Sequence, residues 1–188
     1  MKLTPLKVEG ALLLESVVHG DHRGFFMESY NENLMKQIGA NYVYVQDNHS
    51  LSAEPGILRG LHYQLAPKAQ TKLVRVLTGA IYDVILDIRK GSPTFGQWVG
   101  VILSEYNKRQ LLVPKGFAHG FCTLVPNTQV FYKVDEYYSP EHDRGILWND
   151  PELGIDWPVS EPQLSDKDRQ HPLFADAEMN FDWEEPRS

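Results

Sequence analysis

The sequence predicts one mainly β domain, a sandwich or barrel of short strands, on three observations. Runs rich in Val, Ile, Leu, Tyr and Phe recur at short intervals, glycine, proline, asparagine and aspartate separate most of them, and only one segment reads as a helix. The length of 188 residues suits a single core, and no repeat, low-complexity stretch or Gly/Ser linker divides residues 1–188.

Taken in order, the amino-terminal stretch has an apolar run, Ala11 to Leu14, too short for a signal peptide or a spanning helix. Asn31 to Ile38 reads as a short helix capped by Asn31, whose side chain can accept from an amide of the first turn. Tyr42 to Gln46 reads as a strand. Leu73 to Leu77 and Ala80 to Ile88 flank Thr78-Gly79 and read as a β-hairpin. Trp98 to Leu103, Leu111 to Val113, Ala118 to Val125 and Thr128 to Tyr138 complete the strand set. From Asp150 onward the chain is rich in Pro, Asp and Trp, and is expected to wrap the barrel with short helices.

Composition narrows the function. The balance of 18 Lys plus Arg against 25 Asp plus Glu gives a net charge of −7, which argues against binding nucleic acid as a polymer or an anionic membrane. With 42% apolar residues the chain can bury a core. Its one cysteine, Cys122, cannot form an internal disulfide or a multi-cysteine zinc site, so a soluble protein of the reducing cytoplasm is the expectation. With no activating base in view, Cys122 reads as a packed thiol.

Residues two apart on a strand share a face. Lys72 therefore lies on the face of Val74 and Val76, Tyr132 on that of Val130 and Val134, and His119 on that of Phe121 and Thr123. A polar tip in an apolar stripe must be hydrogen-bonded or functional. Asp83 and Asp87 share parity with Ile81 and Ile85, which leaves two readings: support of a catalytic histidine or lysine, or pairing with Arg75 or Arg89.

Two segments, Gly56 to Gln64 and Val113 to Phe121, resemble the signatures of the cupin jelly roll: Gly, five residues, His-x-His, then Pro-x-Gly-x-x-His. The metal-binding pattern is broken. Gln64 replaces the second histidine and no glutamate lies among Leu65 to Gln70, so only His62 and His119 remain and a tight metal site is not expected.

The longer words Asp21-His-Arg23-Gly24, Gln46-Asp47-Asn48, Arg59-Gly-Leu-His62-Tyr-Gln64, Asp83 to Arg89, Ser92-Pro-Thr-Phe-Gly96, Pro114 to Phe121, Tyr132-Lys133 and Trp148-Asn-Asp150 together resemble dTDP-4-dehydrorhamnose 3,5-epimerases. The resemblance runs from about Val17 to Trp157. It implies a cupin-like jelly-roll β-barrel and an isomerase needing no cofactor, acting on a dTDP-4-keto-6-deoxy sugar. It also implies a homodimer with exchanged amino-terminal strands.

Carbons 3 and 5 of such a sugar flank a C4 ketone, so either proton can leave as an enolate forms and return on the opposite face. That needs a base, an acid facing it and a cation for the enolate oxygen. The resemblance makes His62 the base, Asp168 its carboxylate partner, Tyr132 the proton donor and Lys72 the cation. Arg23, Arg59 and Lys167 become candidates for the diphosphate, since cationic side chains suit phosphate oxygens. Glu28, Gln46, Asp47, Asn48, His119 and Asp143 become candidates for sugar or base. Arg23 and Glu28 would serve the partner's site. His19, His22, His49, His142 and His171 fall in turn-like stretches and receive no chemistry. A mono-epimerase of a related sugar, a metal-dependent cupin oxygenase and a non-catalytic sugar-nucleotide binder are the rivals.

Overall fold

The computed structural model describes residues 1–184; residues 185–188, the end of the expected wrapping tail, lie outside the described residues. The elements in chain order are β1 (Lys2–Pro5), β2 (Leu12–Glu15), β3 (Val18–Asp21), β4 (Gly24–Met27), α1 (Glu32–Gln37), β5 (Gln46–Ser52), β6 (Leu58–Gln64), β7 (Lys72–Thr78), β8 (Ala80–Asp87), β9 (Trp98–Ser104), β10 (Arg109–Val113), β11 (Phe117–Thr123), β12 (Thr128–Val134) and β13 (Asp143–Gly145). Two antiparallel sheets face each other in a jelly-roll barrel: β1-β2-β10-β7-β12-β5 and β13-β6-β11-β8-β9. The hairpin of β3 and β4 stands apart.

Alternation along the strands builds three apolar layers. Val74, Val76, Ile81, Ile85, Leu111, Phe121 and Val130 meet between the sheets. The opposite faces of β6, β8 and β11, with Leu61, Val84 and Ala118, are covered by the tail through Leu153, Trp157, Phe174 and Phe181. Leu14, Leu73 and Leu112 on the back of the larger sheet pack beneath Met35 of α1. Truncating such a fully buried Leu or Ile costs roughly 2–5 kcal/mol. The capped helix forms as the sequence predicts, with Asn31 Oδ1 accepting from Leu34 N at 3.2 Å.

Two expectations are corrected. β7 and β8 are strands, but they form no hairpin: β7 pairs with β10 and β12, β8 with β9 and β11. Gly79, at φ +82°, carries the chain from one sheet to the other, and a side chain there would strike Thr128. Tyr42 to Gln46 is not a strand; β5 begins only at Gln46, and Tyr42 and Tyr44 pack with α1 instead. Aromatic residues suit either surface, so propensity could not separate the two.

β6 and β11 approach through paired glycines. Gly60 has φ +124°, and a Cβ there would sit 2.6 Å from Gly120 Cα; one on Gly120 would sit 2.8 Å from the Arg59 oxygen. These glycines belong to the two signature segments, and their close approach sets His62 opposite His119 in the strand register.

Candidate active site

The mouth of the barrel opens into a cavity of about 620 Å³ between the two sheets. Eight of the sequence-derived candidates line it: Asn48, Arg59, His62, Lys72, His119, Tyr132, Lys167 and Asp168. Tyr132 stands on β12 of the larger sheet, between Val74 of β7 and Asn48 of β5 in register. His62 stands on β6 of the smaller sheet, between His119 of β11 and Gly145 of β13. The two sheets thus set a phenol and an imidazole on opposing walls.

His62 Nε2 meets Asp168 Oδ1 at 2.5 Å across 106 residues of sequence. Asp168 opens a 3-10 turn over Asp168–Gln170, is 3% exposed and donates its own amide to Ser165 Oγ at 3.1 Å. Burial alone would raise its carboxyl, but the His171 and His62 imidazoles beside it outweigh this and hold it well below the ordinary carboxylate range. It is therefore charged and fixes His62 with the proton on Nε2. Nδ1, without a hydrogen bond among the described residues, is left as the basic atom. The imidazole lines the cavity with about a third of its surface open, and its partial burial pulls its pKa below 6.5, against the pull of Asp168.

Lys72, 9% exposed at the start of β7, is lowered to about 8 by burial, with Asp143 and Asp83 opposing. It is an ammonium at neutral pH inside a poorly hydrated wall. Burial raises the Tyr132 phenol above 10, with Arg59 opposing, so this group keeps its proton until a stronger base faces it. His119 Nε2 pairs with Asp83 Oδ1 at 2.8 Å, both buried, which resolves Asp83 as a histidine partner, while Asp87 takes Arg89 at 2.6 Å. Arg59 bonds only Ser52 Oγ, at 3.4 Å, among the described residues and has donors left for an anion.

The remaining candidates lie off the cavity wall. Gln46 orients Asn48 by donating to its Oδ1 at 2.9 Å. Asp47, one residue out of phase with Asn48, turns to the other face and pairs with Lys133 at 2.9 Å. Asp143 holds Lys167 and accepts from the Tyr138 hydroxyl at 2.9 Å. Arg23 forms a fork with Asp21 on the isolated hairpin, and Glu28 accepts from Asn31 at 3.0 Å. Within one chain neither Arg23 nor Glu28 reaches the cavity.

Sequence reasoning missed Ser165, and it missed His171, whose Nε2 is 3.3 Å from the same Asp168 oxygen. The i, i+3 spacing from Asp168 was the available signal. His62, Asp168 and His171 offer ligand-type atoms within 4.8 Å of one another, and of these His62 and Asp168 are joined by a hydrogen bond. Gln64 is spent on structure: its amide donates to the Lys68 and Tyr137 oxygens at 2.6 and 3.2 Å and accepts from Ser139 N at 2.8 Å. Among the described residues no helix is long and apolar enough to cross a membrane.

A model of the dTDP-4-dehydrorhamnose 3,5-epimerase family matches residues 5–176. The chain is 54% identical over 180 residues to dTDP-4-dehydrorhamnose 3,5-epimerase of Pseudomonas aeruginosa, covering 95% of this chain and 98% of that one. It superposes at a TM-score of 0.90 and 63% identity on the crystal structure of the Bacillus anthracis dTDP-4-dehydrorhamnose 3,5-epimerase with TDP and pyrophosphate bound, covering 92% of this chain and 98% of that one. A Legionella pneumophila dTDP-6-deoxy-D-glucose-3,5-epimerase in complex with dTDP-4-keto-L-rhamnose superposes at 0.88 with 46% identity, covering 93% of each chain. By sequence and by fold, this chain belongs to the dTDP-4-dehydrorhamnose 3,5-epimerase family.

Proposed function

We propose that this isomerase inverts carbons 3 and 5 of dTDP-4-dehydro-6-deoxy-D-glucose, giving dTDP-4-dehydro-L-rhamnose, by acid/base chemistry without a cofactor. The observation that carries this reading is the imidazole–carboxylate pair facing a half-buried phenol across one cavity, with an ammonium in the wall between strands. His62 Nδ1 takes the proton from C5, and the electron pair moves into the C4 carbonyl. Lys72 stabilises the oxyanion, where a cation gains most in a water-poor site. Tyr132 returns a proton to the opposite face, leaving a phenolate and an imidazolium that solvent resets. Repetition at C3 completes the reaction. Arg59 and Lys167 take the diphosphate, Asn48 and His119 the sugar or base.

Incubation with the dTDP-4-keto sugar in deuterated water tests the whole reading. Solvent deuterium is expected at both carbons; label at one carbon indicates a mono-epimerase, and binding of dTDP with no label indicates a binder.

The pH dependence follows from two groups with opposite signs. His62 works as the neutral base, so kcat/KM falls as pH drops through its lowered value, below 6.5. Lys72 works as the cation, so kcat/KM falls again as pH rises through about 8. The phenol, raised above 10, adds nothing in that range. A profile flat from pH 8 to about 9.5 would remove Lys72 as the enolate partner.

A homodimer fits the isolated hairpin, where Phe25 and Phe26 are 57% and 72% exposed beside Arg23. A second copy would cover these rings and receive Arg23 and Glu28 at its own cavity; a monomeric mass in sedimentation equilibrium at micromolar concentration would remove this. The lone buried Cys122, its thiol pushed up to about 11 by burial, suits a cytoplasmic setting.

A further inference from the structure

His171 has no part in the chemistry above, yet its ring is built into place behind the base. It follows the 3-10 turn that Asp168 opens, and Leu147 N holds the next residue through the Pro172 oxygen at 2.8 Å. Gly145, opposite His62 on β13, makes the room: a Cβ at 145 would sit 2.4 Å from the imidazole ring of His171. The rings of His62 and His171 meet edge to face, 5.4 Å apart at 78°.

The His171 side chain is 8% exposed, and its Nε2 is buried with no aligned hydrogen bond among the described residues. Its nearest charged neighbour is Asp168 Oδ1, at 3.3 Å, the oxygen His62 holds at 2.5 Å. On its other side lies a second cavity of about 240 Å³ with Tyr63, Asp143, Arg144, Lys167 and Glu178. The charges there are already paired, Arg144 with Glu178 at 2.7 Å and Lys167 with Asp143. Lys72 faces His62 from the cavity side. A buried imidazole nitrogen kept for packing alone would normally take a backbone oxygen or a water; this one is left to the carboxylate that holds the base.

We infer that His171 is a positioning residue that shares Asp168 with His62 and so limits how basic His62 becomes. Two imidazole nitrogens converge on one carboxylate oxygen, His62 Nε2 in a hydrogen bond at 2.5 Å and His171 Nε2 at 3.3 Å, and each draws on charge the other would use. With both present, Asp168 orients His62 yet leaves it neutral and ready to accept a carbon-bound proton near pH 7. With His171 silenced, the oxygen serves His62 alone and the imidazolium is favoured. Conduction of a proton from His62 through Asp168 to His171 is the weaker role, since it would require the carboxylate itself to hold that proton.

The inference rests on His62 being the base, but its test does not. The Cε1–H signal of His62 is titrated by NMR in the free protein, in His171→Phe, which keeps a ring in the space without an N–H, and in His171→Gln, whose amide can still donate. The His62 midpoint is expected to rise by roughly 0.5 to 1 pH in His171→Phe and to stay near that of the unaltered protein in His171→Gln. The acid limb of kcat/KM should move with it, with kcat/KM at pH 7 down by up to about threefold and KM within about twofold. A midpoint unmoved or lowered in folded His171→Phe, or raised equally in His171→Gln, overturns the inference. If His171→Phe does not fold, His171→Leu carries the same titration. A raised midpoint beside a protein that exchanges no deuterium would remove the epimerase reading and leave the pairing intact; an unmoved midpoint with normal exchange would do the reverse.

Discussion

His62→Asn is expected to abolish solvent exchange at both sugar carbons while leaving dTDP affinity within a few-fold of the original. An amide cannot accept a proton near neutral pH, so the step that opens both inversions is lost, and loss of a general base costs at least about a hundredfold. The shorter asparagine amide does not reach the place of Nε2, so the neighbour left to the buried Asp168 carboxylate is His171, whose Nε2 lies 3.3 Å from it. Binding is expected to survive because the diphosphate is assigned to Arg59 and Lys167, which stay in place on the cavity wall. Deuterium incorporation followed by NMR, with dTDP titrated calorimetrically, checks both halves. Turnover within tenfold of the unaltered enzyme would remove His62 as the base.

Tyr132→Phe should separate exchange from inversion. The ring packs against the apolar layer between the sheets, and phenylalanine preserves that packing. The tyrosine hydroxyl bonds to no side chain or backbone group among the described residues, so its removal strands no partner. What disappears is the proton on the wall opposite His62. Abstraction continues, the enolate is reprotonated by His62 from the face it left, and deuterium enters with retention. Inversion is expected to fall by at least about a hundredfold, and exchange by much less. Equal loss of both would place Tyr132 in substrate binding, and unimpaired epimerisation would discredit it as the donor.

The individual strands were legible because side-chain alternation is a local property. Lys72 with Val74 and Val76, Tyr132 with Val130, and Asp83 with Ile81 and Ile85 all share the faces the sequence assigns them. Which strands pair was not legible at Gly79, because a glycine between two strand-like runs serves a hairpin and a crossing between sheets equally well. Asp168 was reached through the family's words, and spacing along an irregular tail could not have placed it. His171 was passed over because a turn residue reveals its partner only when the turn is docked.

The sequence by itself determined the β-rich barrel, its apolar stripes, the polar tips within them and, through Gln64, the departure from a metal-binding histidine set. Only the tertiary structure decided which of those tips meet. The tail brings Asp168 and His171 onto His62 across more than 100 residues, and two opposing sheets set the acid against the base. Periodicity fixes the direction of a side chain along its own strand, whereas a site between sheets depends on how distant strands close upon one another, and that is a property of the whole packed chain.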